Sequence, residues 1–106
     1  MRYRPVIEPI DKAQRQQVLA RTEHYIAMAE EVLERSFERI PVLFDLRGAT
    51  AGMFRVHRRK REIRYNPWIF SKHWQVNLDS TVPHEVAHYI VHEVYGLSLI
   101  HISEPT

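Results

Sequence analysis

The chain has 106 residues, of which 44% are hydrophobic and 26% charged, and this size and composition suit one folded domain and exclude a disordered chain. It has no cysteine, so disulfides and thiolate zinc sites are excluded, and any metal must be held by His, Asp or Glu. No stretch approaches the ~18 consecutive apolar residues of a membrane span, and residues 1–4 lead into polar sequence, so we expect a cytoplasmic protein without a membrane partner.

A long amphipathic helix is predicted from residue 11 to about residue 38. Its apolar stripe recurs at helical spacing through Val18, Arg21/Thr22, Tyr25/Ile26, Ala29, Val32/Leu33 and Phe37. Asp11 with Gln14 three residues later predicts a capping box at the first turn. We expect this helix to cover the core.

The pattern then changes to that of short strands. Three strands are predicted, at residues 42–46, 52–56 and 62–65. Pro41 separates the first strand from the helix and Gly48 ends it. The second and third strands are joined across residues 58–61 and therefore predict a hairpin.

The segment after the hairpin connects the strands to a second long helix. Asn66-Pro67 breaks the last strand, and apolar side chains then predict a short turn or helix packed in the core: Trp68, Ile69, Phe70 and Trp74. The order helix, three strands, helix predicts an α+β fold with a small sheet beside the last helix.

The net charge of +2 conceals a local concentration of positive charge in the hairpin. Six basic residues lie there: Arg55, Arg58, Arg59, Lys60, Arg61 and Arg64. Only Glu62 opposes them, so residues 55–64 carry +5 and the remainder −3. Such a cluster can contact nucleic-acid phosphates or an acidic protein, or it can be a solvated hairpin tip whose charges protect exposed strand edges.

The residues His84-Glu85-Val86-Ala87-His88 fit the pattern His-Glu-x-x-His. Side chains four apart on a helix lie on one face, so the rings of His84 and His88 can reach one ion. Imidazole suits zinc, and a catalytic zinc takes three protein ligands while keeping a position open for water. Glu85 can then act as the general base.

The context of this motif predicts a helix over residues 78–95. Pro83 is tolerated in the first turn, and Gly96 is placed for a left-handed C-terminal cap. Four residues are candidates for the N-terminal cap: Asn77, Asp79, Ser80 and Thr81. The apolar residues at helical spacing are Val82, Val86, Tyr89, Ile90 and Val94, so the histidines should lie on the polar edge of a buried helix.

With these motifs in order, the chain resembles the SprT-like family of zinc metalloproteases, which includes the bacterial SprT proteins and the Spartan proteases. The residues that carry the resemblance are Leu46-Arg47-Gly48, Ala51-Gly52, Ile63-Arg64-Tyr65-Asn66-Pro67, the stretch 81–88 and Tyr95-Gly96. The resemblance implies that His84 and His88 bind zinc and that Glu85 is the catalytic acid/base. It also implies a zincin-like minimal protease domain with a sheet edge that holds an extended substrate, and a part in DNA-associated protein turnover.

The resemblance further implies a third histidine ligand beyond the motif helix, usually followed by Gly. His101 is the candidate here, because its offset from Gly96 is close to that of the third histidine in bacterial family members. His92 is an alternative, but eight residues after His84 it is rotated by about 80° around the helix axis, which favours a surface histidine. A second oxyanion donor is left open between Tyr95, His92 and a residue outside this chain.

Residues 97–106 resemble the translated sequencing-adapter stretch that ends many truncated reading frames. We therefore expect residues 1–96 to form a SprT-like domain that is incomplete at its C-terminus, and residues 97–106 to be a non-native or disordered tail. On this interpretation His101 is not the natural third ligand.

The expected function is hydrolysis of peptide bonds in a protein or peptide substrate by metal-activated water, with Zn²⁺ as cofactor and Glu85 as general base. One alternative is a zinc-stabilised module that binds nucleic acid through the basic hairpin. Another is an inactive truncated fragment. A different HExxH protease lineage fits the upstream motifs less well, and the oligomeric state is left open.

Overall fold

The computed structural model describes residues 7–96 and shows the expected α+β architecture. In chain order the elements are α1 (Lys12–Leu33), β1 (Val42–Leu43), β2 (Gly52–His57), β3 (Lys60–Tyr65), α2 (Pro67–Lys72), α3 (Trp74–Val76), a π-helical turn (Asn77–Thr81) and α4 (Val82–Tyr95). Within this part of the chain no helix is long and apolar enough to cross a membrane.

Helix α1 begins at the predicted capping box. The backbone N–H of Gln14 donates to Asp11 Oδ1 at 2.8 Å, and the backbone N–H of Asp11 donates to Gln14 Oε1 at 3.0 Å. The predicted end near residue 38 is wrong, because the helix ends at Leu33 and Glu34 adopts a left-handed conformation with φ 55°.

A side-chain clamp explains this early end. The Glu30 carboxylate accepts a hydrogen bond from the backbone N–H of Phe37 at 2.8 Å and from the Arg39 guanidinium at 2.8 and 2.9 Å. The chain therefore turns back along the helix after Glu34. Phe37 is buried as its place in the apolar stripe predicts, but it reaches the core from a loop.

The sheet has the strand order β1-β3-β2, with β1 parallel and β2 antiparallel to β3. The predicted first strand is reduced to two residues, although the backbone N–H of Leu46 still donates to the carbonyl of Tyr65 at 3.2 Å. The hairpin is confirmed, with a tight turn at Arg58 and Arg59, which have φ of 51° and 70°. Because β2 pairs with β3 alone in the sheet formed by the described residues, β2 is an edge strand.

The core lies between one face of the sheet and helices α1 and α4. Its buried side chains come from α1, β3, α2 and α4, with Phe54 of β2 partly buried against them, and include Val18, Ile26, Ile63, Tyr65, Phe70, Val82, Val86 and Tyr89. The Tyr89 ring packs near those of Phe37 and Phe54. This packing fixes α4 against the two longer strands.

The helical path that leads into α4 differs from the prediction. Asn77, Asp79, Ser80 and Thr81 do not cap α4, because α3 and the π-helical turn run directly into it. The Asn77 amide instead donates to the carbonyls of Ile69 (3.1 Å) and His73 (2.8 Å), which close α2. At the other end Gly96 ends α4 with a positive φ of 87°, but its ψ of −179° is outside the left-handed region, so the predicted left-handed cap is wrong.

Candidate metal centre

His84 and His88 lie one turn apart on α4, and their rings converge. The two Nε2 atoms are 3.0 Å apart, and the ring planes meet at 81°. Two imidazole nitrogens on one tetrahedral zinc, each about 2.0–2.1 Å from it, stand about 3.3 Å apart. In this structure one ring donates a hydrogen bond to the other, and a separation only slightly wider would let both nitrogens reach one zinc ion. His84 is exposed, so the pair is accessible from solvent.

Glu85, between the two histidines in sequence, lies next to Gly52 at the start of β2. Its side chain is buried, with 6% relative exposure, and it faces the start of β2. A hollow of about 320 Å³ opens there, lined by Ala51, Gly52, Ser80, Thr81, His84 and Glu85. A second hollow of about 190 Å³ lies along His84, Ala87, His88 and Val91. A ligand at the histidine pair would thus have space on both sides.

The predicted third metal ligand is not part of this geometry. Within residues 7–96 no group of three His, Cys, Asp or Glu side chains is arranged to hold a metal ion. His101 and the predicted tail at residues 97–106 lie outside the described residues. The structure thus brings together two of the three predicted ligands, and His101 stays a prediction.

The profile of the SprT-like family matches residues 21–104. The chain belongs to the SprT-like family. Among its relatives, Protein SprT of Pseudomonas savastanoi pv. phaseolicola is 39% identical over 83 residues, which are 78% of this chain and 49% of the relative. Protein SprT of Pseudomonas aeruginosa is 40% identical over 77 residues, 73% of this chain and 46% of the relative. Protein SprT of Vibrio parahaemolyticus is 38% identical over 71 residues, 67% of this chain and 42% of the relative.

This SprT-like chain spans about half the length, or less, of the relatives it matches. No solved structure matches it.

His92 is not the surface residue that the sequence indicated. Its side chain is only 13% exposed, its ring packs 5.6 Å from that of Phe54 on β2, and Nδ1 lies 3.2 Å from a carboxylate oxygen of Glu93. Its buried Nε2 has no hydrogen-bond partner in the described part of the chain. The ring faces the sheet, which makes His92 a useful control for the histidine pair. Tyr95, the other oxyanion candidate, is exposed at the end of α4.

The basic hairpin of this SprT-like chain divides into two groups. The Arg61 guanidinium donates to Glu93 and Glu38 at 2.6 Å each, and these hydrogen bonds raise the pKa of Arg61. Arg64 donates to Asp45 at 2.8 Å. The other four cations, exposed and without an ion pair in residues 7–96, are Arg55, Arg58, Arg59 and Lys60. We call these four the tip cluster.

In the sequence, Gly52 stands out only as one half of the pair Ala51-Gly52. An ideal Cβ at this position would stand 3.0 Å from Glu85 Cγ and 3.3 Å from Glu85 Oε2. A glycine inside a strand is the one available signal, since it often marks a close approach of another group.

Proposed function

We propose that this chain carries the catalytic helix of a zinc-dependent metallopeptidase. The observation that carries the proposal is the convergence of the His84 and His88 nitrogens at 3.0 Å, with the buried Glu85 carboxylate between them in sequence. Membership of the SprT-like family supports it. The third ligand comes from outside residues 7–96, where His101 is the candidate in this chain.

A zinc ion held by His84, His88 and a third ligand would supply a Lewis acid for the scissile carbonyl and would lower the pKa of a bound water toward about 7. In such a site Glu85 would accept a proton from the attacking water and would later donate it to the leaving amine nitrogen. Its burial against β2 restricts the carboxylate to few orientations. The helix in turn holds both histidine rings on one face, so the ligands are placed before the substrate arrives.

The substrate we propose is an extended stretch of protein. Strand β2 is an edge strand, and its first residue, Gly52, lies beside Glu85. A peptide paired with this edge is held by main-chain hydrogen bonds, which accept many side-chain sequences. The proposed enzyme is therefore a peptidase of broad sequence specificity.

Zinc binding by histidine variants tests the metal site directly. We expect the chain to bind about one Zn²⁺, and His84→Ala or His88→Ala to weaken the affinity by roughly 100-fold, because each variant removes a ligand. His92→Ala is the matched control and keeps the wild-type affinity, since that ring faces Phe54. Unchanged zinc affinity in the His84 and His88 variants would contradict the proposed site.

Nucleic-acid binding by the hairpin is a second candidate function, and the tip cluster favours it. These four cations are exposed and unpaired among the described residues, whereas Arg61 and Arg64 are engaged by carboxylates. Lys and Arg in this state neutralise phosphates and release counterions. This binding would bring the proposed peptidase to proteins associated with DNA.

The salt dependence of DNA affinity tests this second function. Arg58→Gln with Arg59→Gln should weaken binding to a DNA duplex and lower the slope of log affinity against log salt by roughly 2. The matched control, Lys12→Gln with Lys72→Gln, removes two exposed charges from helices α1 and α2. Equal losses in the two double variants would show that the tip cluster has no special part.

A further inference from the structure

Strand β2 and helix α4 approach each other most closely at Gly52. A Cβ atom added to this residue would stand 2.8 Å from Thr81 Cγ2 and 3.0 Å from Glu85 Cγ. Atoms at these distances overlap, and a packed interior absorbs such overlap only by moving side chains or backbone. A methyl group at position 52 must therefore displace something on α4 or on β2.

The backbone of Gly52 does not itself require glycine. The described glycines with positive φ are Gly48 (82°) and Gly96 (87°), whereas Gly52 pairs with Tyr65 in the regular antiparallel register. Alanine can adopt such a strand conformation. The glycine is therefore required by the space beside α4.

Thr81 cannot easily make room for a larger residue. Its hydroxyl donates to Asn77 Oδ1 at 2.6 Å, and the Asn77 amide is held by the carbonyls of Ile69 and His73. This chain of hydrogen bonds fixes the rotamer that points the Thr81 methyl group at Gly52. A side chain at position 52 must therefore shift the β2 backbone away from α4, the Glu85 side chain, or both, and each of these changes the contact between position 52 and Glu85.

We propose that Gly52 is a positioning residue, which keeps the Glu85 carboxylate where it can exchange a proton during peptide hydrolysis. The catalytic role of Glu85 in this proposal rests on the proposed function. The close contact between Gly52 and Glu85 does not depend on that function. The spacing of His84 and His88 is set by their positions one turn apart on α4, so a side chain at position 52 should change the place of Glu85 more than the distance between the two histidine rings.

A double-mutant cycle on the metal-free chain tests the contact without any catalysis. Gly52→Ala should lower the melting temperature by roughly 4 °C or more, because it overpacks the site. Glu85→Ala removes Cγ, and Thr81→Ser removes the clashing methyl group while keeping the hydroxyl bond to Asn77. In the Thr81→Ser, Glu85→Ala background the cost of Gly52→Ala should nearly vanish.

Gly48→Ala is the control for the cycle. A Cβ at Gly48 meets no atom within 4 Å, but its φ of 82° is strained for alanine. This variant should lower the melting temperature by the same amount with or without Glu85. The proposal would be overturned if Gly52→Ala lowered the melting temperature by the same amount in the wild type and in the Thr81→Ser, Glu85→Ala background.

Kinetics of the zinc-loaded chain test the consequence for the reaction. In the Thr81→Ser background, which relieves the methyl clash, Gly52→Ala should still lower kcat by roughly 10- to 100-fold while KM and zinc affinity change less than about 3-fold. A wild-type kcat in this variant would overturn the proposal. A wild-type chain that neither binds zinc through His84 and His88 nor cleaves a protein would overturn the proposed function, whereas the stability cycle separately decides whether Gly52 sets the position of Glu85.

Discussion

Thr22 and Tyr65 form the polar contact at the centre of the core. The Thr22 hydroxyl donates to the Val18 carbonyl at 2.9 Å, so the Tyr65 hydroxyl, also 2.9 Å away, is the donor in the bond between the two side chains. Both residues are buried, and desolvation by this burial raises the pKa of Tyr65. The bond ties helix α1 to strand β3.

This arrangement predicts unequal costs for removing the two hydroxyls. Tyr65→Phe should cost about 1 kcal/mol of unfolding free energy, because Thr22 keeps its bond to Val18. Thr22→Val should cost more, about 1–3 kcal/mol, because it leaves the buried Tyr65 hydroxyl without a partner. Urea denaturation measures both values, and a larger loss in Tyr65→Phe would refute this assignment of donors.

At the scale of single elements, the hairpin turn carries a conformational cost. Arg58 and Arg59 both have positive φ, in a turn where Asn-Gly is the favoured pair. Replacing them by Asn-Gly should raise the unfolding free energy by about 1–2 kcal/mol, since each arginine is relieved of a left-handed conformation. Thermal unfolding measures the gain. Stability equal to that of the wild type would mean that the turn is not strained.

The clamp at the end of α1 predicts a loss of stability in acid. The Arg39 guanidinium and then the Phe37 N–H lower the pKa of Glu30 from 4.5 to about 2. A folded-state pKa below the unfolded value stabilises the fold above pH 4.5, and this contribution is lost as the pH falls toward 2. Denaturation midpoints between these two pH values should therefore decrease.

A pair of variants separates this clamp from the other carboxylates. Glu30→Gln should lower stability at pH 7 and flatten the decrease below pH 4.5. Glu31→Gln removes an exposed carboxylate that makes no bond to Arg39, and it should leave the decrease unchanged. The same pH profile for Glu30→Gln and the wild type would rule out the clamp as its source.

The elements predicted correctly are those set by neighbouring residues. The capping box of Asp11 and Gln14 and the hairpin of β2 and β3 follow from local spacing, and both are present. The end of α1 depends on the contacts of Glu30 with Phe37 and Arg39 beyond the helix. The helical spacing of apolar residues gives no information about these contacts. Asn77 is a predicted cap of α4 because asparagine is common at helix N-termini. In the structure its amide instead donates to the carbonyls of Ile69 and His73 at the end of α2.

In the candidate site, too, features set by local spacing were predictable, and features set by contacts between distant residues were not. The convergence of His84 and His88 follows from their spacing of four residues on a helix, which the sequence displays. The role of Gly52 depends on β2 crossing α4 at Glu85, a contact between residues far apart in the chain. The burial of His92 against Phe54 is equally non-local, since its position on the helix indicated only that it turns away from His84.

For the whole molecule, strand β2 connects the two surfaces to which we assign functions. It begins at Gly52, beside Glu85, carries Arg55 of the tip cluster, and ends at His57, next to the turn formed by Arg58 and Arg59. At about 3.3 Å per residue these ends lie roughly 17 Å apart along the strand. A nucleic acid held at the turn by Arg58 and Arg59 would therefore leave the histidine pair and the start of β2 open to a protein substrate.

Peptide hydrolysis by a Glu85→Gln variant tests the central claim most directly. The measurement compares cleavage of an unfolded protein by the zinc-loaded wild type and the variant, with the zinc content determined in both. We predict equal zinc content and a rate at least roughly 100-fold lower in the variant, because glutamine cannot transfer the proton. A zinc-loaded Glu85→Gln protein that cleaves at the wild-type rate would contradict the assignment of Glu85 as the general base.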